Sequence, residues 1–248
     1  MNNFSLITVR NSSKRLPGKP FMPIINNFPA IEIVIKRAKK IGFPVILVTS
    51  VEKDDDVFDK FEEKYGIKIF RGSLLNKIKR WNDCFKENDI DNALLIDGDD
   101  LAYDFDIGRR AIQQLINSKS EMIINSPEII CGLFTYAITR EGISKLSSVA
   151  PNDSIDTDVI TKFIDLAKIE TEEIILKDFE KNKEFRLTLD YKEDLEFFQN
   201  LYSNLDPEED NQKIIEFLEK NDEIPKINYY KQKEFLKNQK KFNEEVKI

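Results

Sequence analysis

The sequence predicts an α/β fold built as a doubly wound sheet with helices on its faces. Short apolar runs rich in β-branched residues alternate with segments whose apolar residues recur at helical spacing. Charged loops follow two of the apolar runs, at residues 10–19 and 97–101. Because sheets of this class bind ligands at the carboxyl ends of their strands, these two loops mark the candidate site.

In the first half of the chain, predicted strands and helices alternate. The first apolar run reads FSLITV, and such β-branched runs are typical of buried strands. The first helical segment stops before Gly42, a residue type that commonly ends helices. The next helical segment is expected to bury Val57 and Phe58. Together the patterns predict strands at 4–9, 44–49, 67–70 and 93–96, and helices at 30–41, 53–65 and 74–86.

The second half of the chain is less regular and ends in a segment with a charge switch. Residues 206–223 carry eight acids and two lysines, whereas residues 225–248 carry seven lysines and three glutamates. We therefore divide the chain into an α/β domain over 1–205 and a helical C-terminal extension over 206–248. The rest of the domain is predicted to form strands at 122–125, 133–138 and 185–189, and helices at 140–148, 156–167 and 191–205.

The composition excludes several classes of protein. The 248 residues carry 38 lysines and arginines against 45 aspartates and glutamates, and this net charge of −7 argues against a nucleic-acid partner. Because the chain has no histidine, His-based catalysis and His-ligated metals are excluded, and a metal would be held by oxygen. Cys84 and Cys131 form no disulfide framework. With no signal-peptide pattern and no long apolar run, we expect a cytoplasmic protein without a membrane partner.

The loop after the first predicted strand is strongly cationic. It reads RNSSKRLPGK and places Arg10, Lys14, Arg15 and Lys19 close together in an acidic chain. Guanidinium and ammonium groups suit phosphate oxygens, and Ser13 adds a hydroxyl. The loop lacks the GxxxxGK[ST] pattern of a P-loop. Charge alone leaves two interpretations open, a phosphate-binding pocket or a solvated basic loop.

The loop after the strand at 93–96 is acidic. Asp97, Asp99 and Asp100 follow that strand directly, and carboxylates this close repel one another unless they face water or a cation. The intervening Gly98 permits a sharp turn of the backbone. The pattern indicates either a cation site or a simple acidic turn.

The cationic loop resembles the signature of the cytidylyltransferases that activate acidic sugars. This family includes CMP-Kdo synthetases, CMP-acylneuraminate synthetases and the spore-coat SpsF-like group. Its pattern is roughly Arg-x-x-Ser-x-Arg-Leu-Pro-Gly-Lys, and residues 10–19 match every defined position. The resemblance implies a Rossmann-like nucleotide-diphospho-sugar transferase sheet. It also implies that the nucleotide triphosphate is bound by Arg10, Ser13, Arg15 and Lys19.

A second segment extends the resemblance toward the nucleotide. Residues 70–73 read FRGS, and Arg80 follows them at the distance found in the spore-coat group. In that group the segment lies near the nucleotide. The resemblance therefore implies that Arg71, Ser73 and Arg80 also contact the nucleotide.

The acidic residues of two further segments match the family's metal ligands. The Gly-Asp element of the acidic loop implies that Asp99 binds the metal, with Asp97 in the nucleotide site. Residues 186–195 resemble the family's R-L-T-x-D-x-x-x-D-L segment, which implies that Asp190 is the second metal carboxylate. The family often continues with Pro-Leu after Gly-Asp, whereas this chain has Asp100 in place of the proline.

The resemblance implies a CTP-dependent nucleotidyltransferase in which Arg10, Lys19 and Asp99 are catalytic and Mg²⁺ or Mn²⁺ is the cofactor. The implied acceptor is an acidic sugar, namely a 3-deoxy-2-ulosonic acid such as Kdo or 8-amino-Kdo, or a nonulosonic acid. It would become a CMP-sugar for surface polysaccharide synthesis as pyrophosphate leaves. A homodimer is also implied, with the sugar and dimer region at about 120–180. The alternatives are a phosphonate or another sugar as acceptor, and a non-catalytic nucleotide-binding paralogue.

Overall fold

The computed structural model describes residues 1–13, 15–181 and 183–245. Lys14, one of the four loop cations, and the last three residues of the predicted extension lie outside the described residues. The strands in chain order are β1 (Asn3–Thr8), β2 (Pro23–Ile25), β3 (Phe28–Pro29), β4 (Val45–Ser50), β5 (Lys68–Gly72), β6 (Asn92–Asp97), β7 (Met122–Ile124), β8 (Tyr136–Thr139) and β9 (Thr171–Glu173). The helices are α1 (Ala30–Ile41), α2 (Lys60–Tyr65), α3 (Lys77–Glu87), α4 (Phe105–Asn117), α5 (Arg140–Val149), α6 (Thr161–Ala167), α7 (Lys192–Asn204), α8 (Asn211–Lys220) and α9 (Lys231–Glu245).

The described residues form a seven-stranded central sheet with the order β5-β4-β1-β6-β8-β7-β9. Strands β5, β4, β1 and β6 run parallel, whereas β8 is antiparallel to its neighbours β6 and β7. In the register of the central pair, Thr8 lies beside Asp97 at the carboxyl ends of β1 and β6. The predicted doubly wound α/β fold is therefore confirmed, and its two charged loops leave the same edge of the sheet.

Two hydrophobic clusters cover the two faces of the sheet. On β1, Leu6 contributes to one cluster and Ile7 to the other, as expected when side chains alternate along a strand. The first cluster contains buried residues of α1, α4, α7 and α8, and the second contains those of α3, α5 and α6. Helix α8 adds Ile214 and Leu218 to the first cluster, although it belongs to the predicted extension. The division of the chain at residue 205 stays a prediction.

The helix predicted over 53–65 is divided into two parts. A 3-10 helix covers Lys53–Phe58, and α2 follows it. Phe58 is fully buried as predicted, but Val57 is 42% exposed, so the prediction for Val57 is wrong. The Asp55 carboxylate fixes the tighter turn by accepting hydrogen bonds from the Ser50 backbone, at 3.1 Å, and from the Asn11 backbone, at 2.7 Å. In a 3-10 helix, residues three positions apart lie on the same face of the helix. Val57 is adjacent to Phe58 in the sequence, so the two side chains lie on different faces.

The strand predicted over 185–189 is not formed, and that prediction is wrong. The segment makes only an isolated bridge between Arg186 and Cys131. Its other backbone anchors are the bonds from Leu187 to the Cys131 carbonyl and from Leu189 to the Asp99 carbonyl, both 2.9 Å long. Because its neighbours are loops rather than strands, the segment has an extended conformation without a ladder. Its course brings the residue that follows it, Asp190, beside the acidic loop.

Two other predicted elements are shorter than expected. The strand over 133–138 begins only at Tyr136, and the helix over 156–167 begins only at Thr161. The remaining predicted strands and helices are confirmed, with ends that differ by up to three residues.

The C-terminal segment packs against its own chain. After α8, a 3-10 helix over Pro225–Ile227 contacts α7, and the first residue of α9, Lys231, lies beside Glu193 of α7. The Lys231 ammonium is 3.3 Å from the Glu193 carboxylate of α7, and the Tyr230 hydroxyl is 3.1 Å from the same group. Homodimer formation stays a prediction from the family resemblance. Among the described residues, no helix has the length and apolar character needed to cross a membrane.

The contact of Gly132 with the 185–189 segment gives a stability prediction. Gly132 has a φ of +93°, and a Cβ at this position would collide with the Leu187 carbonyl. We expect Gly132→Ala to lower the free energy of unfolding by roughly 2 to 5 kcal/mol, the sum of left-handed strain and overpacking. Urea denaturation followed by circular dichroism measures the change.

Gly66→Ala is the matched control for that substitution. Gly66 also has a positive φ, of +61°, but a Cβ there would meet nothing within 4 Å. Its expected cost is only the strain of about 1 to 2 kcal/mol. Equal losses in the two variants would contradict the proposed importance of the Gly132–Leu187 approach.

Candidate functional site

The site begins with two turns at the carboxyl ends of β1 and β6. The backbone of Gly98 donates a 2.9 Å hydrogen bond to the Thr8 carbonyl, so the acidic turn lies directly against the end of β1. A Cβ at position 98 would meet Thr8 and Val9 at less than 3 Å, and this close approach requires glycine. The cationic loop and the acidic loop therefore share one edge of the sheet.

Lys19 lies between two carboxylates from distant parts of the chain. Its ammonium is 2.5 Å from Asp99 and 3.1 Å from Asp190. Burial would lower the pKa of Lys19, but the charges of Asp99 and then Asp190 outweigh burial and raise it. Arg15 joins the group with a guanidinium 2.5 Å from Asp190. We call Arg15, Lys19, Asp99 and Asp190 the lysine–carboxylate cluster.

The two oxygens of the Asp190 carboxylate have different partners. Oδ2 accepts a 3.0 Å hydrogen bond from the fully buried Arg186, whereas Oδ1 faces Lys19 and Arg15. Burial would raise the pKa of Asp190, but the charges of Lys19 and then Arg15 lower it to about 2. Asp190 is therefore ionised and directs one oxygen toward the cations.

Asp194 supports this arrangement from the first turn of α7. Its carboxylate accepts backbone hydrogen bonds from Asp190, at 2.8 Å, and from the N-cap residue Tyr191, at 3.0 Å, as the third residue of a capping box does. Arg186 donates to the same carboxylate at 3.0 Å. The side chain of Asn228 adds a 2.9 Å hydrogen bond. The sequence did not identify Arg186 as a site residue, although it lies inside the segment that resembles the family.

The three carboxylates of the acidic loop, Asp97, Asp99 and Asp100, have different surroundings. Asp100 is buried and accepts a hydrogen bond from Thr135, and burial raises its pKa well above the ordinary value. A raised pKa favours the neutral form of Asp100, which lessens the repulsion expected among the three carboxylates. Asp97 is partly buried, and this burial raises its pKa to about 6, although the charge of Lys77 opposes the shift.

A second wall of the site comes from residues that the sequence did not indicate. The Lys77 ammonium is 4.0 Å from the Asp97 carboxylate and donates a 2.8 Å hydrogen bond to the Asp158 carbonyl. Arg10 reaches the Asp158 carboxylate at 3.4 Å and the Leu74 carbonyl at 2.8 Å. Burial would raise the pKa of Asp158, but Lys77 and Arg10 lower it. Arg10 therefore connects the cationic loop to this wall rather than to the lysine–carboxylate cluster.

The other predicted nucleotide residues have structural partners. The Arg71 guanidinium is 2.7 Å from Asp56 and 3.0 Å from Asp59 and contacts neither carboxylate of the lysine–carboxylate cluster. Asp56 thus forms an ion pair with Arg71. It also places a negative charge in the first turn of the 3-10 helix over Lys53–Phe58. A contact of Arg71 with the nucleotide stays a prediction.

Ser73 and Arg80 hold the loop that Arg10 also binds. Arg80 is buried and donates hydrogen bonds to the carbonyls of Ser73 and Leu74, and burial together with the charge of Arg10 lowers its pKa to about 10. The Ser73 hydroxyl accepts a 3.2 Å hydrogen bond from a backbone N–H within the loop. In the cationic loop, Ser13 accepts a 3.3 Å bond from a backbone N–H three residues later. Nucleotide contacts of these three side chains stay predictions.

The lysine–carboxylate cluster fits a hard divalent cation. Oxygens of Asp99 and Asp190 already converge on one cationic nitrogen, that of Lys19. Across residues 1–13, 15–181 and 183–245, no group of three or more acidic or cysteine side chains is placed to hold a metal. Mg²⁺ is commonly bound by one or two carboxylates together with substrate phosphates. The two carboxylates are therefore a sufficient protein contribution for that ion.

Comparison with known proteins identifies relatives of the chain. A family model described as cytidylyltransferase matches residues 4–245. An uncharacterised protein of Methanocaldococcus jannaschii is 25% identical over 235 residues, which cover 92% of this chain and 95% of the relative. The spore coat polysaccharide biosynthesis protein SpsF of Bacillus subtilis is 25% identical over 207 residues, which cover 79% of this chain and 85% of the relative.

Solved structures share the fold. A cytidylyltransferase from Leptospira borgpetersenii superposes with a TM-score of 0.80 at 24% identity, covering 91% of this chain and 97% of that chain. A CMP:2-keto-3-deoxy-manno-octonic acid synthetase complexed with CTP superposes with a TM-score of 0.62 at 16% identity, covering 82% of this chain and 99% of that chain.

The low pKa of Asp190 predicts a specific dependence of stability on pH. Its value of about 2 lies below the ordinary value of about 3.9, so ion pairing stabilises the fold above pH 4 and less as the pH falls toward 2. The difference in unfolding free energy between wild type and Asp190→Asn should therefore shrink by about 2 to 3 kcal/mol from pH 5 to pH 2. Urea titrations at a series of pH values measure it.

Asp178→Asn is the control for this titration because the side chain of Asp178 is fully exposed. Its unfolding free energy should stay within about 0.5 kcal/mol of wild type at neutral pH. A difference between wild type and Asp190→Asn that does not change with pH would contradict the pairing described for Asp190.

Proposed function

The chain belongs to the cytidylyltransferase family, and from this premise we propose that it transfers CMP from CTP to an acidic sugar. In the proposed reaction a sugar hydroxyl oxygen attacks the α-phosphorus of CTP. A phosphorus–oxygen bond forms, the bond to the β-phosphate oxygen breaks, and pyrophosphate leaves while the hydroxyl proton is lost. The observation that carries the proposal is the lysine–carboxylate cluster, which combines two cations suited to phosphate with two acids at the carboxyl edge of the sheet.

The acceptor class is the finer part of the proposal. The match of residues 10–19 to the signature of enzymes that activate acidic sugars supports a 3-deoxy-2-ulosonic or a nonulosonic acid. The relative SpsF is named for spore coat polysaccharide biosynthesis, which supports a product used in surface polysaccharides. A structural neighbour is a CMP:2-keto-3-deoxy-manno-octonic acid synthetase, which supports the same class of acceptor.

The cations of the cluster would bind and neutralise the triphosphate. Arg15 is 44% exposed on its side chain, so its guanidinium is accessible to a ligand while it pairs with Asp190. Lys19 is more buried and offers a single strong charge at the base of the site. Both would exchange carboxylate oxygens for phosphate oxygens when CTP binds. Arg10 would approach the phosphates from the wall that includes Asp158.

Asp99 and Asp190 would hold the metal once Lys19 turns to the phosphates. When bound, Mg²⁺ or Mn²⁺ would neutralise charge on the phosphates and orient them. Arg186 keeps one Asp190 oxygen occupied, which leaves the other oxygen directed toward the site. Asp97 at the end of β6 would line the nucleotide side of the same pocket.

Acceptor screening tests the proposal. We expect pyrophosphate release from CTP with Kdo, 8-amino-Kdo, neuraminate, legionaminate or pseudaminate, and little release from ATP, GTP or UTP. Enzyme-coupled detection of pyrophosphate measures turnover, and mass spectrometry identifies the CMP-sugar. Binding of CTP without turnover on any acceptor, phosphonates included, would overturn the proposal and favour a non-catalytic paralogue.

Removing the central cation should reduce catalysis strongly. Lys19→Ala and Arg15→Ala each remove a charge proposed to stabilise the leaving pyrophosphate, at a cost of roughly 2 to 4 kcal/mol, or about 30- to 1000-fold in turnover. Lys213→Ala, an exposed lysine of α8 that pairs with Glu209, is the control and should keep wild-type turnover. Wild-type rates in both site variants would rule out the triphosphate assignment.

The metal requirement gives an independent prediction. Turnover should be lost in excess EDTA and return when Mg²⁺ or Mn²⁺ is added. Asp99→Asn and Asp190→Asn should each raise the half-activating Mg²⁺ concentration by at least about 10-fold, since each removes a proposed ligand. Asp178→Asn should leave that concentration unchanged. Full activity in excess chelator would contradict the assignment of Asp99 and Asp190.

A further inference from the structure

Helix α9 of the C-terminal segment contacts Arg186, the residue that donates a hydrogen bond to Asp190. The ring of Phe235 lies 4.6 Å from the Arg186 guanidinium carbon, a distance at which cation–π attraction is effective. The same ring centroid is 5.9 Å from the guanidinium carbon of Arg15, a member of the lysine–carboxylate cluster. One side chain of the C-terminal segment therefore contacts two cations that pair with Asp190.

The hydrogen bonds of Arg186 are completed by the same helix. Its Nε donates to Asp194, and its Nη2 donates to Asp190 and Asp194. Its Nη1 donates to the side-chain oxygen of Gln232 at 2.8 Å. Because Arg186 is fully buried, a lost partner could not be replaced by bulk water without opening the site. Gln232 and Phe235 lie one helical turn apart and contact the same guanidinium. Gln232 accepts a hydrogen bond from it, and the Phe235 ring packs against its face.

The C-terminal segment is firmly attached at this point. Asn228 is fully buried and donates 2.9 Å hydrogen bonds to the Arg186 carbonyl and to the Asp194 carboxylate. On the outer side, Lys231 pairs with Glu193 and lies 5.2 Å from the ring centroid of Tyr191. Asn228 and Lys231 therefore attach the chain at and just before the start of α9 to Arg186 and to the start of α7.

We propose that Phe235 and Gln232 are positioning residues of the active site, which act through Arg186 on the orientation of the Asp190 carboxylate. The inference rests on the proposed function, in which Asp190 holds the metal and Arg15 binds phosphate. Without the ring and the amide, Arg186 gains freedom, and Asp190 no longer presents one oxygen to the site. Groups behind a metal ligand typically change metal affinity or activity by roughly 10- to 100-fold.

Full-length variants of α9 test the inference. Phe235→Ala and Gln232→Leu should lower kcat about 10-fold and raise the half-activating Mg²⁺ concentration, while KM for CTP changes less than about 3-fold. Phe235→Tyr restores a ring and should recover most of kcat. The control is Leu236→Ala, which alters the next residue of the same helix, one that is 54% exposed. Melting temperatures establish that every variant is folded.

A second measurement uses the protein without metal or nucleotide. In protein labelled with ¹⁵N-arginine, exchange of the Arg186 Nε hydrogen with solvent reports whether the guanidinium is held. We expect at least about 10-fold faster exchange in Phe235→Ala and Gln232→Leu, and no change in Leu236→Ala. This measurement does not depend on turnover, so it remains decisive if the wild type proves inactive.

The outcomes separate the two proposals. If the wild-type protein transfers no CMP, the proposed function is wrong. The exchange measurement then decides whether α9 holds Arg186. In an active enzyme, slow Arg186 exchange in folded Phe235→Ala overturns the inference, as does wild-type kcat with wild-type Mg²⁺ dependence. Faster exchange, lower kcat and recovery by Phe235→Tyr together support it.

Discussion

The buried ion network around Arg186 determines where Asp190 lies, and the geometry of the site depends on it. The segment that carries both residues lacks the ladder that positions residues in a sheet, and it is anchored mainly by bonds to Cys131 and Asp99. Side-chain interactions of Arg186 with Asp190 and Asp194 replace the missing ladder. Removing one partner of a buried ion pair leaves an uncompensated charge at a cost of about 3–5 kcal/mol, so Asp190 and Asp194 are held beside Arg186.

The site therefore combines turns positioned by the sheet with an irregular segment that precedes α7. Parallel pairing of β1 and β6 sets the positions of the cationic and acidic turns, and the glycine at 98 allows these turns to touch. The other half of the site consists of an irregular segment and the start of α7, where Asp194 accepts backbone hydrogen bonds from Asp190 and Tyr191. The sheet supplies Lys19 and Asp99, and the irregular half supplies Asp190 already oriented. Loops held on a rigid sheet commonly carry function for this reason.

Periodicity predicted most of the fold because buried strands and amphipathic helices leave a direct pattern in the sequence. It failed over 185–189 because an apolar run is the same whether its neighbours are strands or loops. It failed at Val57 because a 3-10 turn, fixed by the distant Asn11 backbone and Ser50, changes which residues face inward. The family resemblance of three separate segments identified Lys19, Asp99 and Asp190, and the structure brings these residues together. Lys77, Asp158 and the partners of Arg186 carry no local pattern, since only tertiary contacts bring them to the site.

The charges around the cluster are balanced within the protein itself. Arg15, Lys19 and Arg186 contribute three positive charges, and Asp99, Asp190 and Asp194 contribute three negative charges. A triphosphate that pairs with Arg15 and Lys19 would leave Asp99 and Asp190 without their cations, in a setting where unpaired charge is costly. A divalent cation arriving with the nucleotide would restore the balance. The Lys19 ammonium lies between Asp99 and Asp190 and offsets the repulsion between the two carboxylates.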